Sequence, residues 1–354
     1  QLALQDILLS FALAFLASAL LTPALRKFAL ALGVIDKPNQ SHKTHSEPVP
    51  YLGGVSIVLT VTLGLFLATY LKGNQVRGSQ ELVILMSAPL ILALVGLVDD
   101  FKNLGAFSRL LIQSISALVV ALVFLENGWY GEPTSMSILN FSITVIWIVG
   151  ITNSFNFIDN LDGGAGGIAL ISATTLAAAA FIGNQLAIAS ISILVAGATL
   201  GFLIWNLYPA RIYLGDAGAL FIGAILAILT VRLDPETANP VSGWILALLL
   251  FAVPILDTSV AVLSRLYRGI SPFQGGRDHL SHRLLNLGYS KKLTALTIWL
   301  LQIYFSALGL LLFAADETES LVVEGLAGMS WVLFLVLFLR LSPITVYANR
   351  NNEK

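Results

Sequence analysis

Apolar residues in this chain gather in long, nearly unbroken runs, without the two- or three-to-four-residue alternation of half-buried strands and surface helices. Such runs lie near 6–25, 52–71, 81–98, 107–125, 138–155, 163–182, 186–205, 215–231, 243–264, 293–313 and 321–341. Each holds about 17 to 22 residues, enough for a helix to cross roughly 30 Å of hydrocarbon. The pattern predicts an all-α fold: one polytopic membrane bundle of about 11 helices, with ten as the alternative count, forming a single domain over 1–354. The first run follows Asp6 with no basic cluster before it, and reads as a first span rather than a signal peptide.

Composition agrees with this reading. The chain is 57% hydrophobic and 11% charged, with a mean hydropathy of +0.86, far from the roughly 25% charged residues of soluble domains. It has no cysteine, which excludes disulfides and thiolate metal sites. Nothing in it calls for a nucleic-acid partner. Charge distribution carries more than the net charge of -1. Of 19 Lys and Arg, 16 fall in loops near 26–51, 99–106, 206–214 and 265–292, in the segment 153–162, in the C-terminal tail, or at adjoining helix ends. The other three are Lys72, Arg77 and Arg232. The positive-inside rule then places those loops and the C-terminus in the cytoplasm and the N-terminus outside.

The candidate chemistry lies on that inner side. VGLVDDFKN (95–103) ends the third run with Asp99 and Asp100. Neighbouring helical residues point about 100° apart, so the two need not share a target. A solvated helix end is the plainer reading, but acids disfavour helix C-termini, so something positive should compensate them. NSFNFIDNLDGGAGG (153–167) spaces Asn156, Asp159 and Asp162 three apart, along one helical face or one wall of a turn. Its glycines precede an apolar helix, which suits an oxygen-rich site for phosphate or phosphate-bound Mg2+. Small-residue helix packing explains the glycines equally well, and the spacing is not that of a P-loop. YPARIYLGDAGAL (208–220) puts Asp216 between glycines at a helix start, where capping is the competing reading. The loop 265–292 carries His279 and His282 among Arg277, Asp278 and Arg283. A cationic wall for phosphates fits this better than zinc, since neither Cys nor HExxH is present. DKPNQSHKTHSEPVPYLGG (36–54) adds Lys43 and His45. Asp257 sits inside the ninth run and stays outside the catalytic set, a hydrogen-bonding role in the bundle being as good a reading as a functional one. Carboxylates for a divalent cation, cations for phosphate oxygens and a bilayer alongside suggest phosphoryl transfer with one lipid reactant.

Taken in order across 36–290, these motifs resemble the polyprenyl-phosphate N-acetylhexosamine-1-phosphate transferase family. The resemblance rests on the DKPN loop, the DD pair followed by Arg109 and Gln113, NxxNxxDxxDG, PARIxxGDxG and RDHLxHRLLxLG. It implies transfer of a sugar 1-phosphate from a UDP-sugar to undecaprenyl phosphate, with release of UMP and a need for Mg2+, Mn2+ being the alternative ion. It further implies a multi-pass enzyme of the bacterial inner membrane, surrounded by lipid, with its site on the cytoplasmic face and a homodimer as its assembly. By this resemblance Asp99 is the general base, with Asp100 beside it at the metal; Asp216, Asp100 and Asp159 hold the metal. Asn156, Asp159, Asp162, Lys43, His45, Arg109, His279, His282 and Arg283 contact the substrates. The HLxHRLL form is similar to the branch using UDP-GlcNAc rather than the phospho-N-acetylmuramoyl-pentapeptide transferases of peptidoglycan synthesis, which remain the alternative. The downstream glycan, a lipopolysaccharide or teichoic acid among others, is not legible. The chain departs from the family pattern in the spacing of His42 to His45, and at Asn160, Ala217, Ala219 and Ser281. An ion-coupled secondary transporter is the rival from another class. It would place its site near the midplane with repeat symmetry between halves, and neither is visible here.

Overall fold

The computed structural model describes residues 4–36, 49–71, 76–128, 136–234, 240–272 and 276–341. Lys43 and His45 lie outside the described residues. Helix α1 (Leu4–Leu32) leads into an antiparallel pair, β1 (Ile35–Asp36) and β2 (Val49–Pro50), in which Ile35 faces Pro50. Then follow α2 (Gly53–Leu71), α3 (Val76–Lys102), α4 (Ala106–Asn127), α5 (Ser137–Ile158), α6 (Gly164–Ile182), α7 (Leu186–Asn206) and α8 (Gly215–Arg232). The last third holds α9 (Pro240–Leu250), α10 (Ala252–Tyr267), α11 (Leu280–Asn286), α12 (Lys291–Ala314) and α13 (Glu317–Arg340). Among the described residues, ten helices are long and apolar enough to cross a membrane, and α9 with α10 makes an eleventh crossing if read as one broken span. The chain is a multi-pass membrane bundle.

At its centre stands α8, in which every residue except Asp216 and Arg232 is buried. Small residues allow this. A Cβ on Gly54 would lie 2.2 Å from the Gly218 Cα, and one on Gly96 2.4 Å from the Asp216 backbone. Where lipid is as apolar as the side chains, such close backbone packing is what holds helices together. Helices α3 and α5 flank α8, while α7 packs between α1 and α6. This puts the end of α3, the end of α5 and the start of α8 side by side.

The run 243–264 corrects a simple expectation. It is broken at Phe251, where α9 and α10 meet at 71°. Pro254 supplies the local cause, since it has no N–H and its ring clashes with the carbonyl of Leu250 four residues earlier. A break in a bilayer also needs partners for the freed backbone groups. Gln302 of α12 supplies most of them: Nε2 donates to the carbonyls of Leu249 (3.2 Å) and Leu250 (3.1 Å), and Oε1 accepts from the Val253 N–H at 3.2 Å. Ser172 Oγ donates to the Leu250 carbonyl at 2.6 Å and Trp331 Nε1 to that of Ala252 at 3.2 Å. The seven-residue α11, inside the loop expected over 265–292, is an element the apolar runs did not predict.

Candidate active site

The adjacent carboxylates at the end of α3 do have separate targets. Asp100 reaches the first turn of α8, its two oxygens accepting the backbone N–H groups of Asp216 (2.9 Å) and Ala217 (3.3 Å). It therefore caps a helix from across the bundle, where an anion also meets the positive end of the dipole. The approach requires glycine at 215: φ is +74° and a Cβ there would lie 2.8 Å from Asp100 Oδ2. Asp99 is 5% exposed, with Oδ1 accepting the Leu104 N–H and Oδ2 the Arg109 guanidinium, both at 2.5 Å.

Arg109, near the start of α4, is the compensating positive charge anticipated beside the acids. The same Nη1 reaches Asp216 Oδ2 at 3.0 Å, so one guanidinium nitrogen spans two carboxylates from different helices. Asp216 Oδ1 accepts from Asn156 Nδ2 at 2.7 Å. One turn along, Asn153 Nδ2 donates to Gln113 Oε1 at 2.6 Å, joining α5 to α4 and holding Arg109 in register. Asp99, Asp100, Arg109, Asn156 and Asp216 thus converge as the sequence suggested.

Asp159 completes the group. It is half-buried at the C-terminal end of α5, and its carboxylate has no hydrogen-bond or ion-pair partner among the described residues. Desolvation first, then the negative charges of Asp100 and Asp162, push it up to about 7. Tyr51, beside Tyr213 at a ring separation of 5.9 Å, feels burial first and then Asp100, Asp216 and Asp159, and is pushed up to about 12. The two tyrosines mark the edge of the acidic group and were not anticipated; their signal was the pair of polar rings next to glycine-rich helix starts. Asp162 does other work. It is buried and accepts the Ala210 N–H at 3.1 Å, while Asn206 accepts from Gly163 N–H (3.0 Å) and donates to the Ile212 carbonyl (2.9 Å). These bonds tie the 159–163 turn to the segment before α8.

The histidine segment approaches from α10 and α11. Asp257, set aside as ambiguous, anchors it: Oδ2 lies 2.7 Å from His279 Nδ1 and Oδ1 accepts the Leu280 N–H at 2.7 Å. Asp278 is held by Arg265 at 2.9 Å and by Arg268. His282 is half-buried; desolvation, then His279 and Arg277, push it down to about 4, so it is neutral at pH 7. The ring of His279 faces Phe157 at 6.3 Å, next to the acidic turn. Arg283, expected at the substrate phosphates, is fully buried elsewhere. Its Nε donates to the Asp278 carbonyl at 2.9 Å, and Nη1 to the carbonyls of Phe338 (2.9 Å) and Leu341 at the end of α13. Arg283 thereby caps the C-terminal end of α13.

The donor set is all carboxylate and amide oxygen, the chemistry of a hard divalent cation. Among the described residues no three acidic or histidine side chains already stand at metal-holding distances. What the group does have is an unpartnered, half-buried Asp159 and an Asp216 that is 30% exposed and carries the Arg109 guanidinium at 3.0 Å.

Known proteins carry the same sequence framework. Residues 82–234 match the profile of glycosyl transferase family 4. A probable undecaprenyl-phosphate N-acetylglucosaminyl 1-phosphate transferase of Bacillus subtilis is 28% identical over 340 residues, covering 95% of this chain and 90% of that protein. The decaprenyl-phosphate N-acetylglucosaminephosphotransferase of Mycolicibacterium smegmatis is 30% identical over 351 residues, covering 90% and 85%. A phospho-N-acetylmuramoyl-pentapeptide-transferase of Bacillus subtilis is 27% identical over 328 residues, covering 88% and 97%. With the acidic group and the capped start of α8 inside the profile match, and a relative 30% identical over 90% of this chain, the chain belongs to glycosyl transferase family 4.

Proposed function

We propose that this protein transfers GlcNAc-1-phosphate from UDP-GlcNAc to undecaprenyl phosphate, releasing UMP, on the cytoplasmic face of a bacterial inner membrane. The observation that carries the reading is the Arg109 bridge between Asp99 and Asp216, a cation shared by two carboxylates at the end of a membrane bundle. The relatives whose names specify N-acetylglucosamine phosphate transfer support this sugar over the muramoyl-pentapeptide alternative.

An oxygen of the lipid phosphate attacks the β-phosphorus of the UDP-sugar. The bond between that phosphorus and the bridging oxygen breaks, and the oxygen leaves with UMP. Arg109 holds Asp99 Oδ2. The incoming diphosphate draws the guanidinium to itself, which frees Asp99 to take the proton from the lipid phosphate. Asn156 orients Asp216, and Asp100 positions Asp216 through the α8 backbone rather than by touching substrate. Asp216 and Asp159 would hold Mg2+, which would supply charge neutralisation at the diphosphate. His279, positioned by Asp257, and neutral His282 line the opposite side.

Purified protein incubated with Mg2+, undecaprenyl phosphate and a panel of UDP-sugars should release UMP with UDP-GlcNAc foremost. A panel in which every UDP-sugar stays intact would reject the enzyme.

A further inference from the structure

The acidic turn and the start of α11 border the site from well-separated parts of the chain, and one hydrogen bond joins them. Ser281 Oγ lies 2.5 Å from Asn160 Oδ1, across 121 residues. The directions of this bond are fixed: Asn160 Nδ2 donates to the Phe157 carbonyl at 2.8 Å, so its amide oxygen faces Ser281, and the serine hydroxyl must donate. Asn160 follows the unpartnered Asp159, and Ser281 stands between His279 and His282. The two ends differ in burial. Ser281 is 2% exposed, whereas Asn160 is half-buried and open to water. Behind the segment, Asp257 holds His279 and the Leu280 N–H to α10. Its back is thus fixed to the bundle and its front to the acidic turn.

We propose that Asn160 and Ser281 act as one positioning unit, a latch that sets the distance between the acidic turn and the histidine segment and thereby governs binding of the sugar nucleotide. The proposal rests on the transferase reading above. It has an asymmetric consequence. Removing Ser281 leaves an amide oxygen that water can satisfy, while removing Asn160 leaves a buried hydroxyl with no partner, and an orphaned buried group is the costlier defect. Deleting both removes the orphan. The double variant should therefore be healthier than Asn160→Ala alone.

The test is a four-protein cycle of wild type, Asn160→Ala, Ser281→Ala and the double variant, read by turnover and by thermal unfolding in detergent. Asn160→Ala should raise KM for UDP-GlcNAc about tenfold, with kcat within about threefold because neither residue touches the reacting atoms. Ser281→Ala breaks the same bond and should raise KM by a similar factor, and the double variant should raise it no further than either single variant. Unfolding midpoints should separate the variants: Asn160→Ala, which orphans the buried hydroxyl, should melt lowest, and the double variant above it. Additive KM effects in the cycle, a Ser281→Ala variant with the KM of wild type, or a Ser281→Ala variant that melts below Asn160→Ala, would overturn the unit. Coupled midpoints with an unchanged KM would overturn its positioning role and leave a structural bond. If Asn160→Ala does not fold, a folded double variant supports the latch and an unfolded one rejects it. If wild type turns over no UDP-sugar, the transferase reading fails by itself, and the unfolding cycle still decides whether the two residues act together.

Discussion

Replacing Asp100 by asparagine separates two jobs that its place beside Asp99 allows. Its oxygens accept two backbone N–H groups at the start of α8, at 2.9 and 3.3 Å. An asparagine keeps one acceptor and turns its NH2 toward the other N–H, so one bond to a charged acceptor is lost and two donors face each other. A hydrogen bond to a charged group contributes about 1.5–3 kcal/mol, and the anion at the helix start adds roughly 0.3–1 kcal/mol. Asp100→Asn should thus cost about 2–4 kcal/mol. At about 2–4 °C per kcal/mol the unfolding midpoint falls by about 5–15 °C. Tryptophan fluorescence of the detergent-solubilised protein on heating reads this directly. Asp100→Ala should fall further, since both N–H groups then lose their acceptor. An Asp100→Asn protein that melts with wild type but has lost all turnover would refute the cap, and would return Asp100 to the metal or the substrate.

Asp99→Asn should fold and retain UDP binding within about threefold while turnover drops at least about a hundredfold, the usual scale of a lost general base; near-normal turnover would reject Asp99 as the base. His282 has its pKa lowered from 6.5 to about 4 by desolvation, His279 and Arg277. The folded protein keeps it neutral while the unfolded chain protonates it below about 6.5, so the stability it contributes is present above that pH and lost as pH falls toward 4. Each pH unit in that window costs up to about 1.4 kcal/mol, and His282→Gln should flatten the decline measured by unfolding between pH 7 and 4.5. Gln302→Leu should cost about 2–4 kcal/mol, because the Val253 N–H and the Leu249 carbonyl lose their partner at the α9–α10 break. An unchanged midpoint would mean that water or a neighbour satisfies the break.

The spans were legible because hydrocarbon thickness demands a run length, and each of the eleven runs meets it. The break at Phe251 was not. Pro254 advertises a defect, but Gln302 is what lets the defect persist, and it comes from a helix some fifty residues later. The polar residues of the site were legible as helix-end groups in apolar sequence, and six of the expected members, Asp99, Asp100, Arg109, Asn156, Asp159 and Asp216, meet there. Their division of labour was hidden, since it depends on long-range partners: Asp100 on the α8 backbone, Asp162 on Ala210, Arg283 on the end of α13. Asp257 was ambiguous for the same reason, until His279 appeared opposite it. Asn160 and Ser281 each looked like an isolated departure from the family pattern. Their contact shows one departure facing the other.

The central claim is that the β-phosphate of the sugar nucleotide moves to the lipid phosphate. UDP-GlcNAc labelled with 32P in its β-phosphate, incubated with the purified protein, Mg2+ and undecaprenyl phosphate, tests it most directly. The account predicts label in the organic-extractable lipid diphosphate in equal amount to the UMP formed. Label that stays in UDP-GlcNAc, or that appears as water-soluble GlcNAc-1-phosphate without lipid product, would contradict it.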